Sequence, residues 1–371
     1  MKKLGFGFMR LPVFDEQDRS TVDLDAVKKM VDCFMERGFT YFDTAHRYND
    51  EASEPAIREC LVKRYPRDRF ILADKITFNY IKKEEDQWPF FRKQLEICGV
   101  EYFDNYLIHN LGSVFYPYAK KYHTFEFLNE LKEKGYIRHI GFSFHGTADV
   151  LEQILEEHPE TELVQIQLNY LDWEDEGIQS KKCYETALKY GKQVIVMEPV
   201  KGGTLVNLPE EAKEVLKQCN PDASLASWAI RFAAGKKGVE AVLSGMSELE
   251  QVEDNTSYMS SFVPLTEKEE EALRRVVKII RSRSEIQCTN CRYCVTECPR
   301  QIPIPDYFGL FNNYRRLENR AYMYNQKVYY ANLAEKNGKA SSCIACGRCE
   351  KNCPQHIEIR EMLKKVAETL E

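Results

Sequence analysis

Over its first two-thirds, the chain alternates short apolar runs with segments whose apolar residues recur every three or four positions. The runs read as buried strands and the recurring segments as amphipathic helices. Leu4–Phe8 is the first predicted strand. The helix over Leu24–Gly38 puts Val27, Met30, Val31 and Phe34 on one face and stops at a glycine, as a helix C-cap does. Strand Thr40–Asp43, helix Ser53–Arg64, strand Phe70–Lys75 and helix Glu84–Cys98 follow. Strand Tyr102–His109 leads through a tyrosine-rich loop to helix Thr124–Lys134. Strands Ile137–Ser143, Leu163–Leu168, Gln193–Met197 and Glu240–Ser244 then alternate with helices Ala148–Glu157, Gln179–Tyr190, Ala223–Ala234 and Leu249–Tyr258. Eight apolar strands, each followed by an amphipathic helix, predict an α/β fold whose parallel sheet closes on itself, a (β/α)8 TIM barrel.

A further helix, Glu267–Ser282, carries an apolar face of Leu273, Val276, Val277 and Ile280. Beyond it the character changes, which divides the chain into a barrel over 1–262, a connecting helix over 263–284 and a second domain over 285–371. The length of 371 residues suits such a barrel, typically about 250 residues, plus an appendage. No run of 18 apolar residues exists to span a membrane. The start resembles a signal peptide, but Arg10 and Pro12 cut its apolar stretch short, so the protein reads as cytoplasmic. A net charge of −6 argues against nucleic acid as partner. Residues 284–371 carry 13 basic and 10 acidic side chains, a net +3 that leaves −9 on the remainder.

Five of the 13 cysteines (Cys33, Cys60, Cys98, Cys183 and Cys219) are scattered and read as small core hydrophobes. The other eight form two runs, which without a secretory signal point to metal rather than disulfides. Cys288, Cys291, Cys294 and Cys298 precede Pro299 in the pattern C-x2-C-x2-C-x3-C-P; Cys343, Cys346, Cys349 and Cys353 repeat it before Pro354. This is the spacing of two 4Fe–4S clusters, in which the fourth cysteine of each run ligates the other run's cluster. The expected sets are Cys288, Cys291, Cys294 with Cys353, and Cys343, Cys346, Cys349 with Cys298. Zinc, the rival, commonly takes two separated cysteine pairs. The segment resembles bacterial dicluster ferredoxins, and its 44 residues between runs bring it closer to the mainly helical ferredoxin modules of larger reductases. Arg292, Arg300, Arg348 and Lys351 would offset the anionic thiolates.

The stretch Tyr41–Tyr48 leaves a strand end with Asp43 and Tyr48 at its mouth, while two later predicted strands close on Lys75 and His109. D-T-A-x-x-Y at 43–48, these Lys and His positions, G-F-G-F-M-R-L-P at 5–12 and I-R-x-I-G-F-S up to Ser143 resemble the aldo-keto reductases. The whole chain resembles aldo-keto reductase-like oxidoreductases that carry a C-terminal ferredoxin domain. The resemblance implies that Tyr48 protonates a carbonyl oxygen, Lys75 lowers the Tyr48 pKa, Asp43 holds Lys75, and His109 orients the carbonyl. For NAD(P)H it implies Ser143 and Gln165 at the nicotinamide carboxamide, Met197 where an aromatic ring usually stacks, and Gly202 and Gly203 at the pyrophosphate. Gly245, Gln251 and Asn255 fall at or near the adenosine end, yet Ser244–Asn255 holds no Lys or Arg to read a 2′-phosphate. Asn110 replaces a common Trp, and Phe78, Tyr80 and Trp88 are candidates either for the substrate pocket or for the core.

Three functions follow. The first is an oxidoreductase acting on a small carbonyl or alcohol, with electrons passing singly through the clusters; a flavin or an external redox partner would ease the coupling to a two-electron carrier, and no motif identifies one. The second is an ordinary NAD(P)H-dependent carbonyl reductase with structural clusters. The third is a non-enzymatic electron carrier on a retired barrel. Helix Glu267–Ser282 is long enough to climb the barrel wall, which puts the ferredoxin domain on the active-site face. The rival placement covers the bottom, where many members of the resembled family carry a hairpin plug.

Overall fold

The computed structural model describes residues 2–316 and 320–371. Among the described residues ten strands occur in chain order: β1 (Leu4–Gly7), β2 (Val13–Asp15), β3 (Asp18–Val22), β4 (Tyr41–Asp43), β5 (Ile71–Ile76), β6 (Phe103–Leu111), β7 (Ile137–Phe144), β8 (Leu163–Gln167), β9 (Gln193–Met197) and β10 (Val239–Gly245). β2 and β3 pair as a separate hairpin; the other eight close into a parallel barrel in the order β1-β10-β9-β8-β7-β6-β5-β4.

Side chains alternate between the two faces of a strand. Tyr41, Ala73, Leu107, Leu163, Ile195 and Leu243 fill the barrel interior as one cluster. Two residues further along the same strands stand Asp43, Lys75, His109, Gln165, Met197 and Gly245. The polar row is therefore the next inward layer, at the strands' C-terminal ends. Gly141 makes room in this packing, since a Cβ there would lie 2.3 Å from Leu163.

The hairpin β2–β3 and the helices Tyr116–Lys121 and Glu210–Cys219 were not expected from the pattern. The predicted helix over Ser53–Arg64 is an α-helix only to Ile57, then a wider π-turn over Arg58–Val62. β6 runs past His109 to Leu111, with an irregular register between Ile108 and Leu111 and a left-handed Asn110 (φ 58°). Trp88 belongs to the core, edge-on to Phe91 and Phe127, and Phe78 stacks on Phe115. Tyr80 is partly exposed and bonds Glu51. Cys60, Cys98 and Cys183 are buried; Cys33 and Cys219 are half-buried.

Helix Glu267–Ser282 starts with a capping box between Thr266 and Glu269. Glu269 also accepts from Arg231 at 3.0 Å, near the lower end of helix Leu225–Ala234. Twelve residues later in the same helix the chain is at the top: Arg281 donates to the carbonyl of Leu171, in the loop after β8, at 3.2 Å. The helix thus climbs about 24 Å, burying Leu273, Val276 and Ile280 against Leu208, Val215 and Leu216.

The C-terminal region builds a core of its own around Ile304, Tyr307, Phe311, Leu363 and Val366, and takes in Ile178 from the loop after β8. Its helix Arg320–Ala334 lies on loops that follow the barrel strands. Asn325 donates to Glu198 after β9, and the rings of Tyr329 and His145 (after β7) are 5.4 Å apart. Asn332 donates to the His145 carbonyl at 2.5 Å and accepts from the Val114 amide, after β6, at 3.0 Å. The cysteine-rich region therefore sits on the face that carries Asp43, Lys75 and His109. No helix among the described residues is long and apolar enough to cross a membrane.

Candidate active site and cluster sites

The Lys75 ammonium is fully buried and donates to Asp43 Oδ1 at 2.7 Å and to the Thr44 carbonyl at 2.8 Å. It lies 5.0 Å from the centre of the Tyr48 ring, and the His109 ring meets that ring edge-on at 5.8 Å. The four predicted residues thus converge. Burial alone opposes charge on Lys75, but Asp43 and Tyr48 outweigh it and hold the ammonium above its ordinary range. Burial pushes Asp43 upward against the pull of Lys75.

Tyr48 differs from expectation. Burial pushes its phenol up to about 12; the Lys75 charge pulls it back only in part, and Asp43 adds to the rise. The reason is that the ammonium is largely compensated by its own carboxylate, so the desolvation of the phenolate prevails. Burial, followed by the Lys75 charge, drives His109 well below the usual imidazole range, so it is neutral. A neutral imidazole offers one N–H donor.

Ser143 and Gln165 are buried neighbours across β7 and β8. The Ser143 hydroxyl accepts from the Asn110 amide at 2.7 Å, and Gln165 Oε1 is buried without a partner among the described residues. Met197 ends β9 opposite Gln167. Gly202 and Gly203 have left-handed φ of 65° and 92°, and their loop opens with left-handed Glu198 (58°) and Lys201 (48°).

Two features of this loop were not read from the sequence. Lys201 is fully buried in an ion pair with Asp172, which is also bonded by Asn169 and Gln167 at 2.7 Å. Glu198 is half-buried with Oε2 shut off from solvent, and burial pushes its carboxyl up to about 8. The signal for the ion pair was faint, an Asp and a Lys 29 residues apart on successive strand-end loops.

Among the residues expected to face an adenosine, Gln251 Oε1 accepts from the Ser247 amide at 2.9 Å. Asn255 is buried, donating to Ser244 Oγ at 3.1 Å and accepting from the Tyr258 hydroxyl at 2.6 Å. Gly245 backs onto Arg10, 3.0 Å from where a Cβ would stand.

Cys288, Cys291, Cys294 and Cys353 line one cavity of about 320 Å³, mouth included, together with Ile304 and Phe308. Cys298, Cys343, Cys346 and Cys349 line a second of about 330 Å³ with Ile304 and Leu363. Each cavity holds three cysteines of one run and the fourth of the other, and Ile304 stands between them. In each cavity four thiols surround a space, which fits an iron–sulfur cluster. Arg292 is less available than expected to the first site, since it forms a bidentate pair with Asp306 at 2.8 and 2.9 Å.

A closed parallel barrel with an acid, a lysine, a phenol and an imidazole at its C-terminal mouth defines an oxidoreductase of the reductase-barrel class. The chain belongs to the aldo/keto reductase family, which matches residues 3–278, and residues 287–358 match a 4Fe-4S dicluster domain. Among curated relatives, the uncharacterized oxidoreductase C215.11c of Schizosaccharomyces pombe is 24% identical over 268 residues, 69% of this chain and 80% of that one. The uncharacterized oxidoreductase YqkF of Bacillus subtilis is 23% identical over 309 residues, 75% and 93% of the two chains. The solved aldo-keto reductase AKR11C1 from Bacillus halodurans, holo form, superposes with a TM-score of 0.59 at 24% identity, covering 74% of this chain and 91% of that one. An aldo-keto reductase from Klebsiella pneumoniae, solved in complex with NADPH, gives 0.59 at 18% identity, with 74% and 90% covered.

Proposed function

We propose that this protein is an iron–sulfur oxidoreductase that reduces a carbonyl, or oxidises an alcohol, at Asp43, Tyr48, Lys75 and His109, with electrons relayed through two 4Fe–4S clusters. The observation that carries the reading is the Lys75 ammonium enclosed by Asp43, the Thr44 carbonyl and the Tyr48 ring, with His109 edge-on to the same ring. Reduction consumes two electrons, delivered by a reduced carrier, and two protons, one to oxygen and one, taken from solvent water, to carbon. Tyr48 supplies the proton that goes to oxygen: a phenol held at about 12 keeps its proton at neutral pH, yet gives it up to a developing alkoxide, a much stronger base. Lys75 then stabilises the phenolate, and Asp43 keeps Lys75 charged and in place. Neutral His109 orients the carbonyl oxygen by donating one hydrogen bond.

Cys288, Cys291, Cys294 and Cys353 hold one cluster and Cys343, Cys346, Cys349 and Cys298 the other; such clusters supply single electrons. The dicluster domain lies on the active-site face through Asn325, Tyr329 and Asn332, which supports an electron-transfer role over a remote structural one. Anaerobic protein supplied with reduced methyl viologen should turn over members of an aldehyde and ketone panel, and Tyr48→Phe should abolish most of that turnover. Equal turnover by Tyr48→Phe on the same substrate would remove the site from the chemistry.

A further inference from the structure

The family resemblance places a dinucleotide along the barrel mouth, with its carboxamide at Ser143 and Gln165, its pyrophosphate at the loop after β9 and its adenosine end near Gly245–Asn255. The residues found there fit the first part and fail the rest. Gln165 Oε1, buried and without a partner among the described residues, suits an amide donor. At the pyrophosphate position, Gly202 and Gly203, helix Arg320–Ala334 of the dicluster region packs against the loop Lys201–Val206, and its Asn325 bonds Glu198, four residues before Gly202. The nearest lysine, Lys201, is fully buried against Asp172 and cannot turn outward without leaving a charge unpaired. Arg10, which draws the Glu198 carboxyl downward, has interactions of its own. At the adenosine end Asn255 uses both ends of its amide within the protein, and acidic Glu248, Glu250, Glu253 and Asp254 precede it along the chain.

We infer that this protein takes no nicotinamide dinucleotide, because its own helix Arg320–Ala334 packs over the loop that would hold the dinucleotide's phosphates and bonds Glu198 beside it. Reducing equivalents then come from a one-electron carrier, two electrons being delivered in succession for each carbonyl reduced. This rests on the reading of the chain as a cluster-dependent oxidoreductase and adds the class of its reductant. The electrostatics agree with the geometry. Glu198 titrates near 8, so the locality does not keep even one carboxylate fully ionised at neutral pH. A pyrophosphate would bring two negative charges to the same place, where the nearest lysine is already paired with Asp172.

The test uses anaerobic holoprotein with both clusters loaded. Calorimetric titration with NADH and with NADPH should show no saturable binding tighter than about 1 mM, and neither should bleach the cluster absorbance, whereas reduced methyl viologen should bleach it. Saturable, stoichiometric binding of either dinucleotide at micromolar concentration would overturn the inference. A Glu198→Ser, Asn325→Ala variant, checked for intact cluster absorbance, opens the same place; a gain of at least about tenfold in dinucleotide affinity there would support it. Failure of the broader reading looks different: a protein that binds no dinucleotide and also reduces no carbonyl with reduced viologen keeps this inference and loses the proposed function.

Discussion

Asn332 joins the two halves of the molecule: its amide donates to the His145 carbonyl at 2.5 Å while its oxygen accepts from the Val114 amide at 3.0 Å. The side chain is buried, and it fits because residue 112 is glycine; a Cβ there would stand 2.8 Å from Asn332 Oδ1. Replacing Asn332 by Ala leaves both backbone groups without this partner, a loss of about 1–3 kcal/mol. Urea unfolding of the loaded protein should show it, with faster hydrogen exchange at the Val114 amide. Gly112→Ala should do the same from the other side. Unchanged exchange in both variants would mean that the two regions are held by other contacts.

Loaded protein should contain about eight irons and eight labile sulfides per chain. Pairs of Cys→Ser changes test how the cavities are shared. Cys298→Ser with Cys343→Ser strikes one predicted cluster and should cost about four irons, whereas Cys298→Ser with Cys288→Ser strikes both and should cost about eight. The reverse pattern would assign each run to its own cluster.

Tyr48→Phe keeps the ring beside Lys75 and His109 and removes the proton. Turnover should fall by about 10²–10⁴-fold, with little change in cluster content or melting temperature. Because the phenol titrates near 12, the reduction rate in the unaltered protein should not decline between pH 7 and 9 from loss of this donor. A decline there that Tyr48→Phe abolishes would place the phenol lower.

Asp43→Asn leaves the Lys75 ammonium fully buried without its carboxylate. Breaking a buried pair in this way costs about 3–5 kcal/mol. The folded-state pKa of Lys75 is raised by its partners, so its stabilising contribution is complete below the unfolded value and is lost only as pH rises through the folded one. The deficit of Asp43→Asn in denaturant midpoint should therefore be full at pH 7 and 8. A deficit that grows toward alkaline pH would contradict that sign.

Glu198 has a consequence of the same sign in a lower pH window. Its carboxyl rises from 4.5 to about 8 on folding, so the folded state holds a proton that the unfolded state has released. Stability linked to this group is complete below 4.5 and is lost as pH rises toward 8. Glu198→Gln should remove that slope, leaving the variant relatively more stable at pH 8.5 than at pH 6. Parallel melting curves at the two pH values would show that the carboxyl is not held neutral.

How much was legible can be followed along single strands. The two-residue period of β5 and β6 puts Lys75 and His109 on the same side as Ala73 and Leu107, so a parallel closed sheet brings them together as the pattern predicts. The spacing of the two cysteine runs led to the expectation that Cys353 and Cys298 are exchanged, and each lines the cavity of the other run. The hairpin β2–β3 escaped because Asp15, Glu16 and Asp18 mask its short strands among charges. Helix Glu210–Cys219 escaped because its Ala212, Val215 and Leu216 face is narrow.

The sequence determined by itself what depends on neighbours along the chain: strand and helix periods, the length and apolar face of Glu267–Ser282, and the ligand spacing of the cysteines. Only the tertiary structure decided what depends on charges and carbonyls brought together from distant segments. The net rise of the Tyr48 pKa depends on desolvation exceeding the field of a lysine already paired with Asp43. The pairing of Lys201 with Asp172 and the meeting of Glu198 with Asn325, 127 residues away, depend on how loops settle over a barrel mouth. No local pattern encodes these, because the free energy of a buried charge is set by everything packed around it.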